Sequence, residues 1–207
     1  MPRAPRTTPR KKPRQERSQA TVAALLEATA RILVRDGYDR ASTNRIAEAA
    51  GVSIGSLYQY FPTKEALVGA LVDRYMAEVL ELLRRSTADL AGASLPVAAR
   101  GLIRAMIACV LVDPALSRIL YEQVPRVGRL REVMDLLHRE ATDIAHAYLV
   151  AHADEIRPTD RRLAAFLVVV AVDAVLTAAM YGHQKALEDG SLERELTDLV
   201  VHYLART

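Results

Sequence analysis

Residues 53–61 bring together side chains that can contact bases with side chains that can hold phosphates. This segment, SIGSLYQYF, has a glutamine, two serines, two tyrosines and a glycine within nine positions. Gln can pair with an adenine edge, Ser can donate or accept at a base, and Gly lets the backbone come close. Tyrosine hydroxyls and a helix N-terminus can hold phosphates. The pattern favours a DNA-reading surface over a plain helical hairpin with polar decoration.

A short helix, a sharp turn and a second helix are predicted to position this segment. Ser42 is the expected N-cap of a helix over Thr43–Ala50, Gly51 supplies the turn, and Ser53 caps a helix over Ile54–Phe61. Val52 is expected to fill the angle between the two helices, and the residues expected to face inward are Ile46, Ala47, Ala50, Leu57 and Phe61. The residues left outward, or partly so, are Ile54, Gly55, Ser56, Tyr58, Gln59 and Tyr60.

The same segment resembles the signature of the TetR family of regulators. The resemblance lies in residues 43–53, TNRIAEAAGVS, and in residues 55–67, GSLYQYFPTKEAL. The close match covers about residues 17–71, and Gly37 and Tyr38 fall where the family has its glycine–aromatic pair. The remaining helices fit the family in number and length but carry no diagnostic motif.

The resemblance implies roles for the residues that match the family's motif. The expected contacts to the phosphate backbone are Thr43, Tyr58, Tyr60 and Lys64. The residues expected to face bases are Asn44, Gly55, Ser56 and Gln59. Ser53 is expected to cap the reading helix and to lie near phosphate. Family members are usually repressors that leave a double-stranded DNA operator when a small molecule binds the C-terminal domain.

The charge of the chain is distributed unevenly between its two ends. Residues 1–65 carry 12 Lys/Arg against 6 Asp/Glu, whereas residues 66–207 carry 16 against 19. A basic small end indicates a polyanionic partner, with a solvated basic tail as the alternative. Residues 1–15, with four prolines and six basic residues, are predicted to be a disordered arm. Residues 16–62 are then the helix-turn-helix domain, and residues 63–207 an effector-binding and dimerisation domain.

Good helix formers and apolar periodicity predict an all-α protein of about nine helices. The predicted helices span about Glu16–Asp36, Thr43–Ala50, Ile54–Phe61, Lys64–Leu90, Leu95–Val112, Pro114–Gln123, Val127–Ala153, Thr159–Leu187 and Leu192–Ala205.

The last two predicted helices carry enough apolar surface to form a homodimer interface. Two such helices from each subunit would build a four-helix interface, as in the resembled family. The small residues that would permit close packing are Ala171, Ala174, Ala178 and Ala179. The apolar run Leu163–Met180 is interrupted by Asp173 and Thr177, so it is interpreted as a buried helix contact and not as a membrane span.

A small apolar effector is expected within one subunit of the larger domain. Asp173 and Thr177 interrupt an apolar helix, and a carboxylate in such a run is costly unless paired or functional. The other candidate effector contacts are Met76, Met106, Tyr121, Met134 and His138. The alternatives are that Asp173 pairs with an arginine such as Arg104 or meets its dimer mate, and that the methionines are core residues.

The sequence provides no sign of an enzyme, a cofactor or a metal site. Its single cysteine, Cys109, cannot form an internal disulfide, which suits the reducing cytoplasm. The five histidines have no metal-ligand spacing, and no phosphate loop or nucleophile motif is present.

Two alternatives to the effector-regulated repressor remain. One is a DNA-binding dimer without a small-molecule effector, regulated by a protein partner or by abundance. The more distant one is a lipid-handling helical protein. The effector, the operator and the sign of regulation stay open.

Overall fold

A computed structural model of the chain describes residues 16–124 and 129–206, with residues 16 and 17 described by their backbone alone. The described residues form ten α-helices, and their only β pairing is an isolated bridge between Ile156 and Ala205. The all-α prediction is confirmed. The predicted disordered arm, Met1–Gln15, lies outside the described residues.

The helices are α1 (Glu16–Asp36), α2 (Thr43–Ala49), α3 (Ile54–Tyr60), α4 (Lys64–Thr87), α5 (Leu95–Val110), α6 (Pro114–Glu122), α7 (Arg129–Ala151), α8 (Arg161–Gly182), α9 (Gln184–Glu188) and α10 (Ser191–Leu204).

The chain divides into two compact units. The first consists of Met1–Ala77 and Ala115–Val133, and the second of Glu78–Pro114 and Met134–Thr207. Helices α4 and α7 therefore each contribute residues to both units. The predicted functional boundary between residues 62 and 63 is not tested by this division and stays a prediction.

The prediction of one long helix over Thr159–Leu187 is wrong, and the helix count rises from nine to ten. Helix α8 ends at Gly182, and the N–H of His183 donates to the carbonyl of Ala179 over 2.9 Å before α9 begins. Glycine is a poor helix former, which favours the end of α8 at Gly182. Leu187, on α9, lies in the core, where it is 7% exposed.

In the first unit, α1 packs through the apolar face that its periodicity predicts. Val22 is half-buried, and the residues that follow it on this face at helical spacing are buried, namely Leu25, Leu26, Thr29, Ile32 and Leu33. Thr29 is fully buried, and its hydroxyl donates to the carbonyl of Leu25 over 2.7 Å, which satisfies the polar atom within the helix.

The end of α1 is closed by a glycine that the fold requires. Gly37 has φ +79°, and its N–H donates to the carbonyl of Leu33 over 2.9 Å, so it forms a left-handed C-cap. A Cβ at Gly37 would lie 2.6 Å from Oε1 of Gln123. That oxygen accepts the N–H of Tyr38 over 2.9 Å, so Gln123, just beyond α6, holds the connection between α1 and α2.

The second unit packs α5 against α8 and α10. Cys109 is buried on α5, and burial raises the pKa of its thiol to about 11, so the thiol is protonated at neutral pH. The interpretation of the apolar run Leu163–Met180 as a buried helix contact holds for one face of α8 within the subunit, with Val169 and Leu176 in the core and Leu163 and Phe166 half exposed. Among the described residues, α8 is by length and composition apolar enough to cross a membrane, and 44% of its most apolar window is buried.

Candidate nucleic-acid interface

The candidate interface is built on α2 and α3, two helices that begin at serine caps. The side chain of Ser42 accepts the N–H of Arg45 over 3.4 Å, and that of Ser53 accepts the N–H of Ser56 over 3.1 Å. Each cap satisfies one of the backbone donors that the first turn of a helix leaves without a partner. Both predicted caps are confirmed.

A left-handed glycine sets the angle between the two helices. Gly51 has φ +65°, a conformation that costs other residues about 1–2 kcal/mol. Its N–H donates to the carbonyl of Glu48 over 3.0 Å, and the N–H of Val52 donates to that of Ala47 over 3.0 Å. These bonds close α2 and point the chain into α3.

The inner faces of α2 and α3 are apolar, as predicted. Ile46 and Leu57 are fully buried, and Ala47 and Phe61 are 1% and 2% exposed. Ala50 and Val52, which were also expected to face inward, are half-buried. The buried residues fix α3 through two side chains one turn apart and leave its other face toward solvent.

The outer face of α3 carries the residues whose chemistry suggested DNA binding. Gly55, Tyr58 and Gln59 are exposed, Ser56 is half-buried, and Asn44 is exposed on α2. The Tyr58 hydroxyl lies 3.0 Å from that of Thr43, and the Ser53 and Ser56 hydroxyls are 2.8 Å apart. These hydroxyls therefore form a hydrogen-bonded surface that spans both helices.

Two of the predicted phosphate contacts, Tyr60 and Lys64, face other protein groups. The hydroxyl of Tyr60 donates to that of Ser18 on α1 over 3.1 Å. The ammonium of Lys64 donates to the carbonyl of Tyr38 over 3.0 Å and lies 4.1 Å from the centre of the Tyr38 ring. Both side chains are half-buried, in contrast to Tyr58 and Gln59.

The second unit holds a small apolar cavity of about 50 Å³. Its walls come from α5, α7, α8, α10 and Leu90, and they include Met106, Ala145 and Val172. The hydroxyl of Tyr148, another wall residue, donates to the carbonyl of Ala93 over 2.9 Å and is thereby satisfied. The cavity can therefore contact a bound molecule through its shape and its apolar walls.

The predicted effector residues are dispersed between the two units. Met76 and Tyr121 belong to the first unit, whereas Met106, Met134, His138, Asp173 and Thr177 belong to the second. Met106 is the one that lines the apolar cavity. The assignment of the other six to an effector site stays a prediction.

Asp173 has a structural partner, but not the arginine suggested from the sequence. Its Oδ2 lies 3.1 Å from Nε2 of His138, while Arg104 binds Glu193 through its Nη2 over 2.8 Å. The Asp173 contact, opposed by partial burial and helped by Asp135, raises the pKa of His138. The ion pair therefore stabilises the fold below the ordinary histidine pKa, and this contribution is lost as the pH rises through the raised value.

An exposed apolar stripe runs along the outer face of α8. Its large members are between 38% and 51% exposed. They are Leu163, Phe166, Leu167, Val170, Val175 and Tyr181. Three of the four alanines predicted to permit close packing, Ala171, Ala174 and Ala178, are exposed on this face, whereas Ala179 is buried. On α10, Leu199 is 60% exposed.

Two family models match the chain. The model of the tetracyclin repressor-like C-terminal domain matches residues 94–204, more than half of the chain, and the model of bacterial regulatory proteins of the tetR family matches residues 25–71. The chain belongs to the TetR family. The predicted resemblance to this family of bacterial regulatory proteins is therefore confirmed.

Individual relatives agree with this assignment. An uncharacterized HTH-type transcriptional regulator of Mycobacterium bovis is 34% identical over 76 residues, which are 37% of this chain and 39% of the relative. The match thus spans well under half of that relative's length.

Solved structures share the fold of nearly the whole chain. A Mesorhizobium loti protein assigned to the TetR-family regulators superposes with a TM-score of 0.74 at 21% identity, covering 93% of this chain and 100% of that one. SmeT, the repressor of the Stenotrophomonas maltophilia multidrug efflux pump SmeDEF, was solved with triclosan. That complex superposes with a TM-score of 0.67 at 23% identity, covering 91% and 93% of the two chains.

Sequence reasoning missed the contacts that hold the start of the helix-turn-helix in this TetR-family regulator. The guanidinium of Arg45 binds Oδ2 of Asp36 over 2.9 Å and donates to the carbonyl of Arg40 over 3.2 Å. The pKa of Asp36 is lowered, mainly by its hydrogen bond with Arg35. The opposite charges of residues 36 and 45 were a visible signal, but no local pattern points to Gln123, which lies 85 residues from Tyr38.

Nothing within the described chain explains the glycine at position 55. Its φ is not positive, and a Cβ added there would meet no atom within 4 Å. A glycine within a helix costs up to about 1 kcal/mol relative to alanine. The backbone of α3 is therefore openly accessible at Gly55, and the predicted approach of a base edge at this position stays a prediction.

We predict that Gly55→Ala changes stability and DNA affinity in opposite directions. The free energy of unfolding should stay level or rise by up to about 1 kcal/mol, because the helix gains a better helix former. DNA affinity should fall about tenfold or more, because the methyl group must be accommodated in a close-packed interface. Urea unfolding and fluorescence anisotropy with a selected operator measure the two effects.

Gly92→Ala is the matched control, since a Cβ there also meets no atom within 4 Å and the residue lies in the second unit. It should leave DNA affinity unchanged. A Gly55→Ala protein with wild-type affinity would show that no surface approaches α3 at this point.

Proposed function

We propose that this TetR-family protein is a cytoplasmic, homodimeric repressor that binds a pseudo-palindromic operator and leaves it when a small apolar effector binds. The observation that carries the DNA-binding part is the outer face of α3. The exposed polar side chains of this face flank Gly55, where a Cβ would meet no other atom of the described chain within 4 Å. In a two-fold dimer, this face of each subunit would enter successive major grooves on one side of the duplex.

The side chains on this face divide into two groups by chemistry. Gln59 carries an amide that can pair with the N6 and N7 atoms of adenine, and Asn44 and Ser56 can also reach base edges. Thr43 and Tyr58 offer hydroxyls for phosphate oxygens, and they lie 3.0 Å apart across α2 and α3. The first group would set the sequence preference, and the second would set the position of the protein on the duplex.

We predict that Gln59→Ala weakens binding to the preferred operator by about 1–3 kcal/mol and relaxes the preference at one base position in each half-site. Tyr58→Phe should instead weaken binding to all sequences by a similar factor, because a phosphate contact carries no base information. Anisotropy titrations against the operator and its single-base variants distinguish the two patterns.

Gln184→Ala provides the control for Gln59→Ala, since it makes the same chemical change at an exposed site on α9. It should bind as the wild-type protein does. If Gln59→Ala kept both its affinity and its base preference, the proposed placement of α3 in the groove would be wrong.

The exposed stripe on α8 supports homodimerisation. Five of the six large exposed side chains, all but Val175, share one face of the helix. This is an unusual solvent surface for a monomer, and large apolar patches mark interaction sites. The exposed alanines between them would let a second α8 approach closely. The exposed Leu199 suggests that α10 takes part as well.

We predict that Ala178→Glu produces folded monomers. Ala178 is exposed in the isolated subunit, so glutamate is tolerated there, but across a two-fold axis it would bring like charges together out of water. Sedimentation velocity measures the oligomeric state, and circular dichroism checks the fold. Ala147→Glu, at an exposed position on α7, is the control and should stay dimeric. A dimeric Ala178→Glu protein would place the interface elsewhere.

The effector part of the proposal is supported by the apolar cavity of the second unit. Sixteen residues line it, and the side chains of α5, α7, α8 and α10 in its walls are apolar or carry a satisfied hydroxyl. The structurally similar SmeT was solved with triclosan, a small molecule. A ligand larger than the present 50 Å³ would need the walls to move, and a methionine such as Met106 adapts readily to new shapes. To change the ratio of the released form to the DNA-binding form from 1:99 to 99:1, the ligand must bind the released form more tightly by about 5.5 kcal/mol.

We predict that benzene, which like any ligand larger than the cavity needs the walls to move, raises the melting temperature of the protein. At ten times its Kd it should contribute about 1.4 kcal/mol, which corresponds to about 3–6 °C for a chain of this size. Ala145→Val adds two carbons within the cavity wall and should abolish the rise. Ala147→Val, on the exposed side of the same helix, should preserve it.

A protein whose melting temperature does not respond to benzene, while it still binds its operator, would favour a dimer regulated without a small-molecule effector. Loss of operator binding altogether, with retained ligand binding, would instead favour the lipid-handling alternative.

A further inference from the structure

The first residue of α3 is an isoleucine that the protein leaves in solvent. Ile54 is 38% exposed, whereas the two residues that anchor the helix, Leu57 and Phe61, are 0% and 2% exposed. Tyr58 lies one turn after Ile54 on the same exposed face. The apolar side chain thus stands at the N-terminal edge of a polar surface, and its exposed part makes no contribution to the core.

Position and chemistry together restrict what Ile54 can recognise. In a helix-turn-helix protein, the N-terminal residues of the second helix contact base edges in the major groove. The edges of the four base pairs present hydrogen-bonding groups there, and the one apolar group among them is the C5-methyl of thymine. A branched aliphatic side chain has no hydrogen-bonding atom, so a thymine methyl is the feature that it can distinguish.

The neighbouring residue makes such a contact geometrically accessible. Gly55 has no side chain, and the space that a Cβ would occupy is open. A base edge can therefore approach the backbone at residue 55 and meet the side chain of Ile54 beside it. Ser53, whose hydroxyl is held 2.8 Å from that of Ser56, closes the other side of this small surface.

From this arrangement we propose that Ile54 is a specificity-determining residue that recognises one thymine in each half-site through its methyl group. The proposal rests on the proposed binding of α3 in the major groove and extends it to a particular base. It differs from the roles of Gln59 and Ser56 because it requires no hydrogen bond.

The test uses the full-length protein and an operator obtained by selection from random DNA. Each thymine of the operator is replaced in turn by uracil, which removes the methyl group and preserves base pairing. One thymine per half-site should then show a loss of affinity of about fourfold, the factor that corresponds to about 0.8 kcal/mol for one buried carbon group. Replacement in both half-sites should multiply the two effects to about sixteenfold.

Two substitutions assign this effect to Ile54. Ile54→Ala removes the carbons that would reach the methyl, so its affinity should be the same for thymine and uracil at that position. Ile54→Val keeps a branched side chain and should retain most of the discrimination. Circular dichroism shows whether each variant is folded, and both should be, because the side chain lies outside the core.

The outcomes separate this proposal from the proposed function. If the wild-type protein selects a specific operator but no thymine-to-uracil change weakens binding, the assignment of Ile54 is wrong and DNA recognition by α3 stands. The assignment is also wrong if Ile54→Ala keeps the full preference for thymine. If selection yields no preferred sequence at all, the proposed function itself fails.

Discussion

Helices α2 and α3 depend on a small apolar contact between them. Each has seven residues, and isolated helices of that length are unstable in water. Their stability comes from tertiary packing through buried side chains such as Ile46 and Leu57, while Gly51 allows the chain to turn between them. Because packing fixes one face of α3 completely, the opposite face is presented in one orientation. The polar surface that the proposed function needs is a consequence of this constraint.

The connection that precedes α2 is held from several directions. Tyr38 donates its N–H to Gln123 and accepts a hydrogen bond from Lys64 through its carbonyl. Asp36 binds Arg45, which lies within α2. These are surface interactions of modest individual energy, but together they restrict the start of the helix-turn-helix. The half-buried Lys64 therefore has a structural role that is compatible with a phosphate contact, since an ammonium group has three donors.

Helix α8 illustrates how one apolar segment can serve two contacts. Its inner face, with Val169 and Leu176, belongs to the core of the second unit, while its outer face is exposed along nearly its whole length. A helix that is apolar all round must be buried on several sides, and one unit of this size covers only one of them. The His138–Asp173 pair accommodates the one carboxylate of this helix at the contact with α7, so the polar interruption is explained within the subunit.

The sequence by itself determined the helical class, most helix ends and the inner and outer faces of α3, because caps, glycines and 3.6-residue periodicity act locally. The break at His183, the partnership of Asp173 with His138 and the position of the cavity among α5, α7, α8 and α10 were decided by tertiary structure. The last two of these depend on which distant segments meet, as does the contact of Gln123 with Tyr38 across 85 residues. Met106 alone of the seven predicted effector residues lines the cavity. Periodicity shows that a helix face is apolar, but it contains no information about the partner that covers it.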